Sequence, residues 1–177
     1  IHRPAAKRGA KFDLAFFWKQ NDTGIYGRRH DMLMKHLAKH ERVGRVTQFD
    51  APVALKQLED LSGKSGIHLD QSRFVAESTI RRFLETRDDA RFNRRTFVFD
   101  DDKAAPSFLG RPLPRRSDYV DYVMECLDRN GSSNPLIGWC FPIVFDFPEI
   151  ARNAQFSLTV TDLIDDQRPM SQSPNYR

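Results

Sequence analysis

Apolar and polar positions change their spacing repeatedly along this chain, and each change predicts a new element. Residues 11–19 hold a nearly continuous apolar run flanked by charge, which is typical of a strand buried on both faces of a parallel sheet. A turn-rich connection follows, and residues 28–40 then carry apolar side chains at helical spacing. The chain therefore opens with a predicted strand, a glycine-containing loop and a helix.

The same alternation continues to the other end of the chain. In chain order, the further predicted elements are a strand over 43–49, helices over 53–61 and 70–91, a strand over 94–99, an irregular stretch over 106–114, a helix over 118–130, a strand over 134–141, a turn and short helix over 142–151, and a strand over 155–163. Ser117 is the predicted N-cap of the helix over 118–130, and Gly131 stands where a C-terminal glycine belongs. Strands alternating with helices favour an α/β fold, with helices on both faces of a doubly wound, mostly parallel sheet.

Length and composition agree with one globular domain. The 177 residues are 40% hydrophobic, enough for a sizeable core, and two cysteines exclude a disulfide scaffold or a four-thiolate zinc site. Cys126 and Cys140 have no catalytic partner in view and are expected in the core. No apolar run approaches the roughly 18 residues of a membrane-spanning helix, and the basic residues 1–10 lack the apolar stretch of a signal peptide. We therefore expect a cytoplasmic protein.

The charge balance narrows the choice of partners. Lys plus Arg number 28 against 24 Asp plus Glu, a net charge of +4, and the two signs are interleaved as in the stretch 81–89. A nucleic-acid partner is disfavoured because no single-sign tract could follow a phosphate backbone. One basic and aromatic segment could rest on an anionic membrane, with a solvated loop as the alternative, and it contains Phe108, Arg111, Arg115 and Arg116.

The loop after the first predicted strand is the candidate anion-binding site. Ligands of doubly wound sheets bind beyond the carboxyl ends of the strands, where a helix N-terminus turns its N–H groups and positive dipole end toward an anion. The residues in that position are Gly24, Tyr26, Gly27, Arg28 and Arg29. The glycines permit close backbone approach, and the arginines could clamp a phosphate or a carboxylate. The spacing matches neither the dinucleotide fingerprint nor Walker A, so NAD and a P-loop nucleotide are disfavoured, and a plain connecting loop stays open.

Two further groups of residues have side chains that can bind a metal ion, and each group also has a simpler structural interpretation. Asp100, Asp101 and Asp102 stand at a predicted strand end, where they form either a solvated turn or a site for magnesium or manganese. His36 and His40 are one helical turn apart, but they lack the glutamate and third ligand of a zinc protease. We interpret these histidines as solvated and predict no resident metal.

Three stretches carry motifs that belong together. Residues 13–22 and 25–31 form an apolar strand, a glycine-containing loop and a helix with an arginine just inside it; residues 135–142 form an apolar strand that stops at a proline; residues 158–168 form a strand ending in the paired acids Asp165 and Asp166. Together they resemble the N-terminal half of GT-B glycosyltransferases, especially the bacterial family 4 enzymes that build envelope and capsular polysaccharides. Glu77 and Glu85 have the spacing of a glutamate signature of retaining glycosyltransferases, but without its glycines the match reads as one solvated helix.

The resemblance implies a Rossmann-like domain over residues 11–168 that binds the acceptor, with 169–177 starting the linker to a C-terminal domain that grips the nucleotide sugar. The partners would be a nucleotide-sugar donor, a glycan or lipid-linked acceptor and the chain's own C-terminal domain, and no bound metal or cofactor would be needed. The loop at Gly24, Tyr26, Gly27, Arg28 and Arg29 would face the interdomain cleft, with Asp166 at its rim. Asp22, His30 and Asp165 are catalytic candidates by position only.

Two other functions remain open from the sequence. One is a non-catalytic, doubly wound module that binds a phosphorylated ligand or a protein partner. The other is a metal-dependent transferase built on Asp100, Asp101 and Asp102.

Overall fold

A computed structural model describes residues 11–19, 29–63, 69–85, 91–141 and 144–162. Its strands are β1 (Phe12–Phe17), β2 (Val43–Phe49), β3 (Val53–Ala54), β4 (Phe92–Arg95), β5 (Val98–Phe99), β6 (Ser107–Phe108), β7 (Arg111–Pro112), β8 (Leu136–Cys140) and β9 (Leu158–Thr161). Its helices are α1 (Arg29–Leu37), α2 (Leu55–Gly63), α3 (Leu69–Leu84), α4 (Tyr119–Arg129) and α5 (Phe147–Ala154), with a 3-10 turn at Arg116–Asp118.

Five of these strands form a central sheet in the order β4-β2-β1-β8-β9, and every neighbouring pair is parallel. In one cross-strand row Phe16 of β1 lies between Gln48 of β2 and Trp139 of β8. The chain builds outward from β1 through β2 to β4, then returns to the other side of β1 to add β8 and β9. The predicted doubly wound, Rossmann-like α/β fold is confirmed, and its topological switch point lies between β1 and β8.

Helices cover both faces of this sheet, and β1 is buried between them. On one face α1 packs Met34 into the cluster that holds Phe16, and on the other α4 and α5 pack Val123 and Ile150 into the cluster that holds Phe17. Burying each of these phenylalanines contributes about 1.5–3 kcal/mol. The continuous apolar run at the start of the chain follows from this arrangement, because a strand covered on both faces has no side for polar residues.

A third apolar cluster lies beyond the edge of the sheet. It joins α2, α3 and the short β3–β5 ladder, and its buried members are Val53, Leu55, Leu58, Ala76, Val98 and Leu113. The predicted single strand over 94–99 is therefore wrong, because β4 belongs to the central sheet whereas β5 pairs with β3. Between them Thr96 donates a hydrogen bond to Asp50, and Phe97 enters the cluster beneath α4.

The same ladder shortens the helix predicted over 53–61. The N–H of Val53 donates to the carbonyl of Phe97 at 3.0 Å, so residues 53 and 54 are extended. Helix α2 begins only at Leu55.

The stretch over 106–114, predicted as irregular, contains an antiparallel hairpin of β6 and β7. Leu109 and Gly110 form its two-residue turn, with φ values of 50° and 77°. Positive φ at both positions is what a type I′ turn requires, because this turn matches the twist of the flanking strands. Gly110 adopts that conformation without strain, whereas Leu109 is an unusual occupant.

Of the two predicted ends of α4, the C-terminal glycine is confirmed and the N-cap is wrong. Gly131 has a φ of 57° and donates its N–H to the carbonyl of Asp128 at 2.9 Å, which confirms it as the glycine that ends the helix. Ser117 is not the N-cap, because it lies inside the 3-10 turn and Asp118 occupies the cap position. One carboxylate oxygen of Asp118 instead accepts the N–H of Arg115 at 2.8 Å.

Two other boundaries move inward. Helix α3 ends at Leu84, short of the predicted 91. Gln155 ends α5 in a left-handed conformation with a φ of 49°, so the last strand begins at Leu158 rather than at 155.

Candidate functional site

The carboxyl edge of the central sheet is the place where this fold positions a ligand. Trp18, Asp50, Phe141 and Asp162 directly follow β1, β2, β8 and β9, and α1 begins at the same edge because it runs back across the sheet toward the start of β2. The crevice at a switch point lies between the strands on either side of the reversal, here β1 and β8. The side chains around α1's first turn are therefore the ones to consider.

Arg29 is the first residue of α1, and it reaches across this edge to Asp162. Its Nη1 donates to Oδ1 of Asp162 at 3.0 Å, between residues 133 positions apart. The arginine side chain is 60% exposed and the aspartate 9% exposed. Asp162 is itself held, because its N–H donates to the carbonyl of Cys140 at 2.9 Å. The structure thus brings together a predicted phosphate-binding residue and an acid that sequence reasoning did not single out.

The contact with Asp162 uses only the Nη1 donor of Arg29. Within the described residues Arg29 makes no second hydrogen bond, and its Nε and Nη2 donors have no acceptor there. A guanidinium can meet a phosphate or carboxylate with two parallel hydrogen bonds, and the N-terminal end of α1 adds a partial positive charge. Asp162 opposes an anion electrostatically while it fixes the position of the arginine.

His30, a catalytic candidate by position, lies inside the fold. Its side chain is 3% exposed and stacks on Trp18 with a ring-centroid distance of 3.6 Å. The fully buried carboxylate of Asp31 is 3.5 Å from its Nε2. In this conformation the imidazole does not open to solvent, and the geometry suits a residue that ties the first turn of α1 to the end of β1.

A second buried acid, Asp50, lies directly after β2 at the carboxyl edge of the sheet. Oδ2 of Asp50 lies 3.3 Å from Nε of Arg82 and accepts a hydrogen bond from Thr96 at 3.3 Å. The hydroxyl of Tyr119 donates to the backbone carbonyl of Asp50 at 3.4 Å. Asp50 was not singled out from the sequence, although an acid directly after a predicted strand was a signal of this kind. Asp50 joins α3 and α4 to the carboxyl edge.

Arg94 on β4 completes the charged surroundings. Burial lowers the pKa of its guanidinium from the ordinary value, and the carboxylates of Asp31 and Asp50 oppose that effect. Its guanidinium also lies 5.2 Å from the centre of the Phe92 ring. The positive charge of Arg94 therefore lies near two buried acids of this edge.

In the stretch 100–102, the side chains of Asp100 and Asp101 accept hydrogen bonds from backbone N–H groups. Oδ1 of Asp100 accepts the N–H of Asp102, and Oδ1 of Asp101 accepts the N–H of Arg116, each at 2.9 Å. Within the described residues no three metal-ligating side chains converge. This arrangement favours the turn over the metal site.

The arginines of the proposed membrane segment are also engaged. Arg115 donates to the carbonyls of Asp100 and Ala104 at 2.9 and 3.1 Å. Nη2 of Arg116 donates to both carboxylate oxygens of Asp146, at 2.9 and 2.7 Å. Phe108 and Arg111 stay on the hairpin, whose tip residue Leu109 is 67% exposed. Of the chain that the structure describes, no helix is long and apolar enough to cross a bilayer.

The remaining candidates have the structural surroundings expected of them. Cys126 and Cys140 are buried, and burial raises the pKa of both thiols. His36 and His40 are exposed, and Glu77 pairs with Arg73 one helical turn away.

Seven of the predicted site residues lie outside the described part of the chain. They are Asp22, Gly24, Tyr26, Gly27, Arg28, Asp165 and Asp166. In sequence the first five lead directly into Arg29, and the last two follow closely on Asp162. The predicted tail over 1–10 and linker over 169–177 are outside it as well.

Comparisons of the chain with protein-family models, with curated proteins and with solved structures found no match.

Proposed function

We propose that this chain is the acceptor-binding N-terminal domain of a GT-B glycosyltransferase of the family 4 type. The enzyme would transfer a sugar from a nucleotide diphosphate to a glycan or lipid-linked acceptor in polysaccharide biosynthesis, at the cytoplasmic side. The observation that carries the proposal is the contact between Arg29 and Asp162, which joins the first and the last of the three family-like stretches. The strands of all three stretches, β1, β8 and β9, are neighbours in the sheet.

The chemistry of such a transfer needs positive charge where the donor diphosphate leaves. The bond between the anomeric carbon and the phosphate oxygen breaks, its electron pair stays on the diphosphate, and an acceptor oxygen forms the new bond while its proton passes to a base. Arg29 and the N-terminal N–H groups of α1 would stabilise the departing diphosphate, with Gly24, Tyr26, Gly27, Arg28 and Asp166 around it. Asp22 and Asp165 are the candidate bases, by position only.

The buried groups near α1 have a supporting role in this proposal. Trp18 and His30 fix the first turn of the helix, and Asp31 and Arg94 add charge of both signs beside it. A charged group stabilises a developing charge best when it is already in place and does not reorganise. The same buried contacts therefore serve the fold and the orientation of Arg29.

Peripheral contact with the membrane is part of the proposal, because lipid-linked acceptors lie there. Arg115 and Arg116 are engaged in the fold, and Phe108 packs against the third apolar cluster. The contact would therefore be made by the exposed hairpin residues Leu109 and Arg111. An exposed leucine beside an arginine combines an apolar anchor with attraction to anionic lipid.

The alternative is a non-catalytic module that binds a phosphorylated ligand. Among the described residues Arg29 donates only to Asp162, and its other donors together with the N-terminal end of α1 could hold a phosphate without any second domain.

A donor panel separates the two functions. The full-length protein with its second domain would be incubated with UDP-, GDP- and dTDP-sugars, and both turnover and binding would be measured. Turnover of one donor is the expected result. Binding of nucleoside diphosphate without turnover would favour the module, and neither turnover nor binding would overturn the glycosyltransferase assignment.

A further inference from the structure

A cavity lies beside α4, on the face of the sheet opposite α1. Its volume is about 350 Å³, and the described residues that line it are Phe97, Pro114, Asp118, Asp121, Tyr122 and Glu125. All six belong to the stretch 91–141, which the structure describes without a gap. Four of them lie on α4 or directly before it, so the first half of this helix forms one wall of the cavity.

Two aromatic rings contribute most of the apolar lining. The ring centroids of Phe97 and Tyr122 are 5.0 Å apart, and the ring planes are inclined by 50°. Phe97 is 3% exposed and Tyr122 is half-buried. The hydroxyl of Tyr122 donates to the backbone carbonyl of Thr96 at 3.4 Å, so the polar end of this side chain is engaged in the fold. An occupant would therefore meet aromatic carbon on this side of the cavity.

The three acids of the lining differ in their partners. One carboxylate oxygen of Asp118 accepts the N–H of Arg115 at 2.8 Å. Glu125 forms an ion pair with Arg129 one helical turn away. Asp121 is exposed, and within the described residues it forms no hydrogen bond and no ion pair. Asp121 is therefore the lining acid that is placed to meet a positively charged ligand.

Positive groups near the cavity limit the charge that it can accept. Arg129 already balances Glu125. Burial raises the pKa of Tyr122, and the guanidinium of Arg95 on β4 opposes that effect, which places a second cation close to this ring. These neighbours favour an occupant with one positive charge over a dication.

The acids also have a purely structural explanation. A carboxylate in the first turn of a helix interacts with the positive end of the helix dipole, and Asp121 has that position in α4. The dipole effect needs no concave aromatic surface beside the carboxylate. Glu149 offers a matched comparison, because it is an exposed acid in the first turn of α5 and is not among the residues that line the cavity.

We propose that this cavity binds a small organic monocation, an ammonium or guanidinium head carried on an apolar body. The head would pair with Asp121, and the body would contact Phe97 and Tyr122. A cation within about 6 Å of an aromatic ring centroid gains further attraction from the ring face. The volume lies within the roughly 300–1,000 Å³ of small-molecule sites. The site is independent of the proposed sugar transfer, because Arg29 belongs to α1 on the other face of the sheet.

Benzylammonium is the probe, with two matched controls: benzyl alcohol keeps the ring without the charge, and methylammonium keeps the head without the ring. Binding is followed by NMR titration of the 177-residue chain near neutral pH in about 0.15 M salt, where distant charges are screened. Benzylammonium is expected to bind at least about fivefold more tightly than either control, and to shift the amide resonances of Phe97 and Tyr122. Asp121→Asn should lower its affinity at least about threefold and leave that of benzyl alcohol unchanged.

Two variants serve as controls for place. Glu149→Gln removes the matched acid of α5, and Arg29→Ala removes a cation on the other face of the sheet; each should change the affinity by less than about twofold, because neither residue lines the cavity. Equal binding of benzylammonium and benzyl alcohol overturns the proposal, as does the absence of binding. It is also overturned if Asp121→Asn leaves the affinity unchanged, or if Glu149→Gln lowers it as much as Asp121→Asn does.

Discussion

Two ion pairs lie at the carboxyl edge of the sheet and differ in what surrounds them. In the pair of Arg82 and Asp50 the side chains are 13% and 0% exposed, and Thr96 donates a further hydrogen bond to the acid. In the pair of Arg29 and Asp162 the arginine is 60% exposed and has no second partner within the described residues. The two distances, 3.3 and 3.0 Å, are almost the same.

Because the two ion pairs differ in burial, they are expected to contribute differently to the stability of the fold. Removing one partner of a buried pair leaves an uncompensated charge in a poorly solvated place, which costs several kcal/mol. An exposed pair contributes about 0–1 kcal/mol, because water and salt solvate both charges. In the second pair this holds for the arginine, whereas Asp162 is only 9% exposed. The Asp50 pair is therefore expected to contribute more to stability than the Arg29 pair, in which only the acid is buried.

The largest expected effect is on the buried pair. Asp50→Ala should lower the free energy of unfolding by about 3–5 kcal/mol, because Arg82 is left buried without its acid. Denaturant unfolding monitored by circular dichroism measures the change. Asp121→Ala removes an exposed acid on α4 and should stay within about 0.5 kcal/mol. A loss below about 1 kcal/mol in Asp50→Ala would remove the distinction between the two pairs.

The exposed pair should show the opposite balance. If the proposed glycosyltransferase function holds, Arg29→Ala is expected to lower kcat/KM about 100-fold, since a donor to the leaving diphosphate is lost. The free energy of unfolding should fall by less than in Asp50→Ala, because only the acid of this pair is buried. Steady-state kinetics and denaturant unfolding give the two numbers.

Arg73→Ala is the matched control, because Arg73 is 66% exposed and also pairs with a single carboxylate. It should leave both quantities nearly unchanged. Equal kinetics in the two variants would contradict a ligand-binding role for Arg29, and unfolding of Arg29→Ala would make the residue structural.

The smallest effect is expected at alkaline pH, and it tests Tyr119, a buried neighbour of Asp50. Burial raises the pKa of Tyr119, whose hydroxyl donates to the Asp50 carbonyl, well above its ordinary value. A raised pKa stabilises the fold below the unfolded-state pKa of about 10, and this stability is lost as pH rises above that value, by up to about 1.4 kcal/mol per pH unit. Unfolding at pH 8, 10 and 11 should show this decline, and Tyr119→Phe should make it shallower by about that amount. If the free energy of unfolding falls equally steeply with pH in the unchanged protein and in Tyr119→Phe, then Tyr119 does not cause the decline.

Local pattern was sufficient for the elements that are covered on both sides. The strand at 11–19 was predictable because burial on both faces leaves a nearly continuous apolar run. The strand over Val43–Phe49 was predictable from its apolar Val43 and Val46. The break at Thr96 and Phe97 was not, because nothing in the local sequence marks the point at which the pairing partner changes from the central sheet to the β3–β5 ladder. A sequence window contains the side chains but not the strand that each one will face.

The candidate site also has residues that could be predicted from the sequence and residues that could not. Arg29 was predictable as a cation just inside a helix that follows a glycine-containing loop. Its partner Asp162 was not, because the two residues are 133 positions apart and meet only through the order of β1, β8 and β9. Asp50 was visible as an acid after a strand, but its burial depends on α3 and α4 arriving from distant parts of the chain.

The sequence alone determined the α/β class, the order of most elements and the loop in which an anion is expected, because periodicity and turn chemistry act over a few residues. Only the tertiary structure decided the strand order, which acids are buried, and which arginine stays exposed. Strand pairing and burial depend on surfaces that residues far apart in sequence bury together, and desolvation then separates a charge that stabilises the fold from one that can bind a ligand.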